Sequence, residues 1–203
     1  DRAFSDDSAI VAMLAGAEEQ ALRRAGIAGT PKHAPGHGRA SVDSHHALPR
    51  VMASLADLER DLAPFRATTA APIWMTAHIV YDAIDPERPA TCSPACLDWL
   101  RDQTGYDGLI ASDDLAMKAL SGDLRERAEA AQAAGCDFVL YCPGDIPGGC
   151  EAIAGAGPAT GRLLDRWGAW TATRPTPPHA DAFQLAAELW AMLETPPSTP
   201  LAR

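Results

Sequence analysis

Positive charge is scarce in this chain of 203 residues. Seventeen lysines and arginines stand against 27 aspartates and glutamates, for a formal charge of −10. A nucleic-acid binder shows a basic patch or stripe, so that class is set aside. Long apolar runs are missing too. None approaches the roughly 20 residues needed to cross a bilayer, and no charged-then-apolar start resembles a secretory leader. The five cysteines form no disulfide framework: their number is odd and their spacing irregular, which points to a reducing compartment. Cys92 and Cys96 flank Pro94, and "CSPAC" reads as a helix start capped by Ser93, with small buried thiols rather than zinc ligands. Hydrophobic residues make up 47% of the chain, enough for a core.

What is present has an order. A helix is predicted over "FSDDSAIVAMLAGAEEQALRRAG", capped at Ser5, Asp6 or Asp7, with Ile10, Leu14, Ala17, Ala21 and Ala25 inward and Gly26 as its stop. A strand over 27–32 follows. A helix over 51–65 is closed by Pro64, and a buried strand lies at 73–77. A helix over 93–105 stops at Gly105, and a strand covers 107–112. "DDLAMKAL" opens a helix with Asp114 near its cap, and 123–135 is helical again. A strand covers 136–142, then a turn over 143–149 and a weak helix over 150–167 interrupted by glycines and Pro158. Residues 173–203 read as a proline-rich linker, a last helix and a tail. The four strands, centred near residues 30, 75, 110 and 139, are too apolar to face water, which predicts a parallel sheet covered by helices. Lys32 and His33 end the first strand, His78 the second, Ser112 and Asp113 the third. In parallel α/β folds these ends share one face, where active sites form.

The densest chemistry is "PKHAPGHGRASVDSHHALP", with His33, His37, His45 and His46. His33 and His37 have the spacing of a helical zinc pair, but Pro35 and Gly36 between them argue against a helix. A structural reading suits His37, which can tie the loop together; His46 has no assigned task. An acid–base reading suits Asp43 and His45. In an extended segment their side chains share a face, so the carboxylate can orient the imidazole and stabilise its charged form. Asp113 on another strand end can supply a nucleophile or a stabilising charge. Its bland alternative is a helix cap, a need Asp114 already meets. Leu115 and Met117 read as core, and His78 receives no chemical role.

"KHAPGHGRASVDSHHALP", "MTAHIVYDAIDPERPATCS" and "YDGLIASDDLAMKAL", in this order, resemble the glycoside hydrolase family 3 β-N-acetylglucosaminidases of the NagZ type. The resemblance runs from about Asp1 to Pro143 and implies a (β/α)8 TIM-barrel type of α/β fold. It implies Asp113 as the catalytic nucleophile and His45, assisted by Asp43, as the acid/base. Lys32, His33 and Arg2 correspond to residues that bind the sugar. It implies no metal or organic cofactor, a small carbohydrate substrate of the N-acetylglucosaminyl-anhydromuramic type, a cytoplasmic setting, and neither nucleic acid nor membrane as a partner. Ala34 stands where relatives commonly carry a larger side chain. Such a barrel needs roughly 250 residues. Residues 1–172 are therefore expected to form about the C-terminal four βα units, a fragment or a half-barrel with open edges and a tendency to self-associate. The rival expectations are a sugar-binding module without turnover and a metal-dependent hydrolase using His33, His37 and His45.

Overall fold

The computed structural model describes residues 4–42, 44 and 47–176, together with Gln184, Ala187, Glu188, Trp190 and Ala191. Its main sheet is parallel and contains β2 (Ile73–Met75), β5 (Leu109–Asp114) and β6 (Phe138–Leu140), in the order β2-β5-β6. Residues 31–34 run along the free side of β2. The Met75 amide donates to Pro31 (3.0 Å), the Ala34 amide to Met75 (2.8 Å) and the Ala77 amide to Ala34 (2.8 Å). Four parallel lanes therefore lie where four strands were expected. The first is displaced from 27–32 to 31–34, where it forms a single bridge, Ala34 to Thr76.

One face of this sheet is packed by α4 (Pro94–Thr104) and α5 (Leu124–Ala134). Trp74, Leu97, Leu100, Ile110 and Ala131 are buried there. The Trp74 and Tyr106 rings stack at 3.8 Å, nearly parallel. Both helices begin and end as their residues dictate. Ser93 accepts the Cys96 amide, Asp123 and Glu126 form a capping box, and Gly105 and Gly135 close the helices in the left-handed conformation. On the opposite face, Ile73, Met75, Phe138 and Leu140 border an apolar cavity of about 460 Å³. Leu163 and Trp167 of α7 (Gly161–Thr173) line its far wall.

The amino end of β6 is locked by Asp137. Its amide donates to the Ile110 carbonyl (2.7 Å), and its buried carboxylate accepts the Ile110 amide (2.9 Å). Arg162 pairs with the same carboxylate at 2.7 Å, and Arg101 stands 3.6 Å away.

Several expected boundaries move. The segment 51–65 is not one helix but β1 (Arg50–Val51), α2 (Leu55–Asp61) and α3 (Ala63–Arg66). Pro64 sits in the first turn of α3, where its missing N–H costs nothing, instead of ending the helix before it. With β3 (Val80–Tyr81) and β4 (Asp85–Pro89), β1 makes a small second sheet in the order β1-β3-β4. The first helix, α1 (Ser8–Arg24), is capped by Asp7 as predicted, but its inward stripe differs. Ile10, Leu14, Ala17 and Ala21 are exposed. Gly16 instead approaches Ala67, just past α3, because the smallest residue allows the closest docking. The weak helix over 150–167 resolves into α6 (Ile146–Ala156), started early by the Asp145 cap, and α7, parted at Gly157, whose φ is 66°. In the tail, the five described residues are helical; the rest of the expected linker and last helix, from residue 177, falls outside the described residues.

Candidate active site

The carboxyl end of β5 is where the sequence and the fold meet. Helix was expected over "DDLAMKAL", but the strand continues through Asp114 and gives way to turns. The Asp114 carboxylate accepts the Ala116 amide (3.0 Å) and, from the neighbouring lane, the Cys142 amide (3.1 Å). Arg127 of α5 donates to the carbonyls of Leu115 (2.7 Å) and Met117 (3.2 Å), which occupies acceptors a helix would need. Leu115 and Met117 are buried, as predicted for core. Between the pairs Ala111–Phe138 and Asp114–Leu140, β5 advances by one residue more than β6. This is a bulge at Ser112–Asp113, a device that re-aims side chains at sheet edges and active sites. The Ser112 hydroxyl accepts the Leu140 amide (2.9 Å) and so holds the bulge closed.

Asp113 is thereby presented at the mouth of the sheet. One carboxylate oxygen accepts the Asp114 amide at 2.8 Å. The other lies 3.5 Å from Nε2 of His33, with both side chains mostly buried. His33 comes from the end of the first lane, beside the exposed Lys32. The Cys142 thiol, at the end of β6, reports the local charges. Partial burial raises its pKa first, Asp114 and Asp113 raise it further, and the Lys32 ammonium lowers it. Lys32, His33, Asp113, Asp114 and Cys142 thus share one mouth, as strand-end convergence predicts.

The histidine loop is anchored from outside. Tyr81 of β3 donates to the Gly36 carbonyl (2.8 Å), and Arg39 forms a two-toothed pair with Asp61 at the end of α2 (2.5 and 3.1 Å). His37 bonds to the Ser44 hydroxyl at 3.4 Å and meets the His33 ring edge-on, with centroids 5.6 Å apart. Asp43, His45 and Arg2, the other expected site residues, lie outside the described residues, as does His46. Among the described residues no three His, Cys, Asp or Glu side chains are grouped to hold a metal ion, and no helix is long and apolar enough to cross a membrane.

Sequence reasoning passed over two residues behind the mouth. Thr91, next to Cys92, and Thr76, at the end of the second lane, are fully buried and bonded to each other, and Thr91 is also bonded to His78. The only sequence signal for them is hydroxyl residues inside otherwise apolar stretches, "WMTAHIV" and "PATCS". Cys96 and Cys136 are buried, Cys92 is half-buried, and Cys142 and Cys150 are exposed.

Residues 1–156 match the family described as "Glycosyl hydrolase family 3 N terminal domain". Among curated relatives, a β-hexosaminidase of Bordetella avium is 44% identical over 146 residues, covering 70% of this chain and 42% of that protein. One from Alkalilimnicola ehrlichii is 47% identical over 148 residues, with the same coverage. The chain thus spans about two fifths of the length of these relatives. Among solved structures, NagZ from Neisseria gonorrhoeae in complex with N-trifluoroacetyl-D-glucosamine is 33% identical with a TM-score of 0.76, over 96% of this chain and 58% of that one.

Proposed function

The chain belongs to glycosyl hydrolase family 3, and from that membership we propose that it forms the nucleophile-bearing part of a retaining β-N-acetylhexosaminidase. The observation that carries this reading is the Asp113 carboxylate on the bulged end of β5, 3.5 Å from His33 of the first lane, which lies beyond β2. Asp113 attacks the anomeric carbon as the bond to the leaving oxygen breaks, and His45 gives that oxygen its proton. The product is a glycosyl ester on Asp113. His45, now a base and held in its working tautomer by Asp43, takes a proton from water. The hydroxide so formed displaces Asp113 as a free carboxylate. Lys32, His33 and Arg2 hold the sugar hydroxyls and fix the ring for in-line attack.

The four parallel lanes make four βα units of a barrel. The relatives named β-hexosaminidase and the N-acylglucosamine analogue of the Neisseria structure support an N-acetylglucosaminide as substrate. A cell-wall fragment with an anhydromuramic aglycone, met in the bacterial cytoplasm, is the substrate class the motif resemblance supports. A second reading is sugar binding without turnover, which needs only Lys32 and His33, the side chains that share the mouth with Asp113. One experiment separates the two: hydrolysis of 4-nitrophenyl N-acetyl-β-glucosaminide beside calorimetric binding of N-acetylglucosamine. Asp113→Ala abolishes turnover and keeps binding. His45→Ala slows turnover, less so with good leaving groups. Turnover unchanged in both variants refutes the site assignment, and binding without any turnover by the parent chain selects the second reading.

A further inference from the structure

His78 is fully buried immediately behind the mouth. Along the upstream part of β5, the backbone of the second lane supplies the donors, the last being the Thr76 amide to the Ala111 carbonyl (2.9 Å). At the level of Asp114 the donor is a side chain: His78 Nε2 lies 3.1 Å from the Asp114 carbonyl. A carbonyl only accepts, so Nε2 carries the proton. Burial in apolar surroundings holds the ring's pKa below the ordinary histidine value, so the ring is neutral and Nδ1 is an acceptor. The Thr91 hydroxyl, 2.8 Å from Nδ1, must then donate to it. That spends the only proton Thr91 has, so Thr76, 2.8 Å away, donates to Thr91. The Ala77 carbonyl, 3.2 Å from Thr91, competes for the same proton at the longer distance. The result is a one-way buried chain, Thr76 to Thr91 to His78 to the Asp114 carbonyl, in which each bond polarises the next.

This chain ends one peptide unit from the Asp113 side chain, on the side of β5 opposite the Ser112–Leu140 clamp. We propose that His78, oriented by Thr91, is a positioning residue that fixes the bulged end of β5 and so the aim of the Asp113 carboxylate. The inference rests on the reading of Asp113 as nucleophile and extends it to a residue that does not touch substrate.

The test uses the full chain with His78→Leu, His78→Gln, Thr91→Val and Asp113→Ala, with rates expressed per folded molecule. Misplacing a reacting group by about 1 Å costs on the order of 100-fold. His78→Leu is therefore expected to lower kcat by roughly 10- to 100-fold with KM within about twofold, and by the same factor for good and poor leaving groups. His78→Gln, whose amide can donate to the Asp114 carbonyl, recovers much of the loss, and Thr91→Val falls between. A His78→Leu rate within about twofold of the parent overturns the proposal, as does equal loss in the leucine and glutamine variants. Turnover surviving in Asp113→Ala overturns the nucleophile reading instead. Nuclear magnetic resonance provides an arm independent of turnover. The His78 ring should be the Nε2–H tautomer in the parent, and the Asp113 side-chain carboxyl resonance should move in His78→Leu and return toward the parent position in His78→Gln. An Nδ1–H ring, or an unmoved Asp113 resonance, refutes the coupling.

Discussion

Asp137→Ala is the most demanding test of the fold that carries the site. The Asp137 side chain is 1% exposed, and its carboxylate serves three groups. The first is the Ile110 amide on β5, at 2.9 Å, three residues before Asp113. The second is Arg101, whose side chain is 19% exposed. The third is Arg162, at 43%. A hydrogen bond to a charged acceptor contributes about 1.5–3 kcal/mol. Removing one partner of a buried pair, here stranding Arg101, costs about 3–5 kcal/mol. The exposed Arg162 adds no more than about 1 kcal/mol. These losses overlap, so the expected total is about 3–5 kcal/mol, a large share of an ordinary domain's stability of roughly 5–15 kcal/mol. Asp137→Asn keeps an acceptor for the Ile110 amide and loses only the charge, so it should cost clearly less. Urea unfolding followed by tryptophan fluorescence measures both, with the slope on denaturant as the check on two-state behaviour. A loss under about 1 kcal/mol for the alanine variant, or equal losses for both variants, would refute the assignment of Asp137 as the clamp between β5 and β6.

Tyr81→Phe removes the donor to the Gly36 carbonyl and should cost about 1–2 kcal/mol. Amide exchange should rise at residues 36–42; unchanged exchange there removes Tyr81 as an anchor of the loop. Burial depresses the His78 pKa below 6.5, so the unfolded chain binds that proton before the folded one does. The stability from keeping this ring neutral is present above about pH 6.5 and declines as pH falls below it, and His78→Gln should flatten that part of the pH profile. A disulfide reagent at pH 8 should label Cys150 and Cys142 in the folded chain. Cys96, its pKa pushed up to about 12 by burial, and Cys136, pushed up likewise, should label only on unfolding. Rapid labelling of Cys96 in the native state contradicts its burial.

Local chemistry made much of this architecture readable. Asp7, Ser93 and Gly105 act where their residue types predict, because caps and left-handed stops depend on a few adjacent atoms. The parallel lanes were legible from apolar runs that repeat at βα spacing. What escaped depends on partners distant in sequence. "DDLAMKAL" has helical composition, yet Asp114 and Arg127 divert its backbone bonds to Cys142, Leu115 and Met117. The α1 stripe was misread because a helix docks where Gly16 lets it come close, not along its largest apolar side chains. His33 and Asp113 were both named from sequence, but the bulge that turns Asp113 toward the mouth exists only in the pairing of β5 with β6. Thr76 and Thr91 were invisible for the same reason: a buried hydroxyl acquires meaning from the imidazole across from it.

Asp113 and the histidine loop stand on different supports. Asp113 is set by the large parallel sheet, while the loop is moored at Gly36 and Arg39 to the small sheet and the end of α2. Such separate mounting makes the two parts independently adjustable. The exposed Ser41 and Val42, beyond Arg39, can be exchanged without disturbing the bulged strand. Under the proposed function, leaving-group preference can therefore drift through that segment while the surroundings of Asp113 keep their geometry.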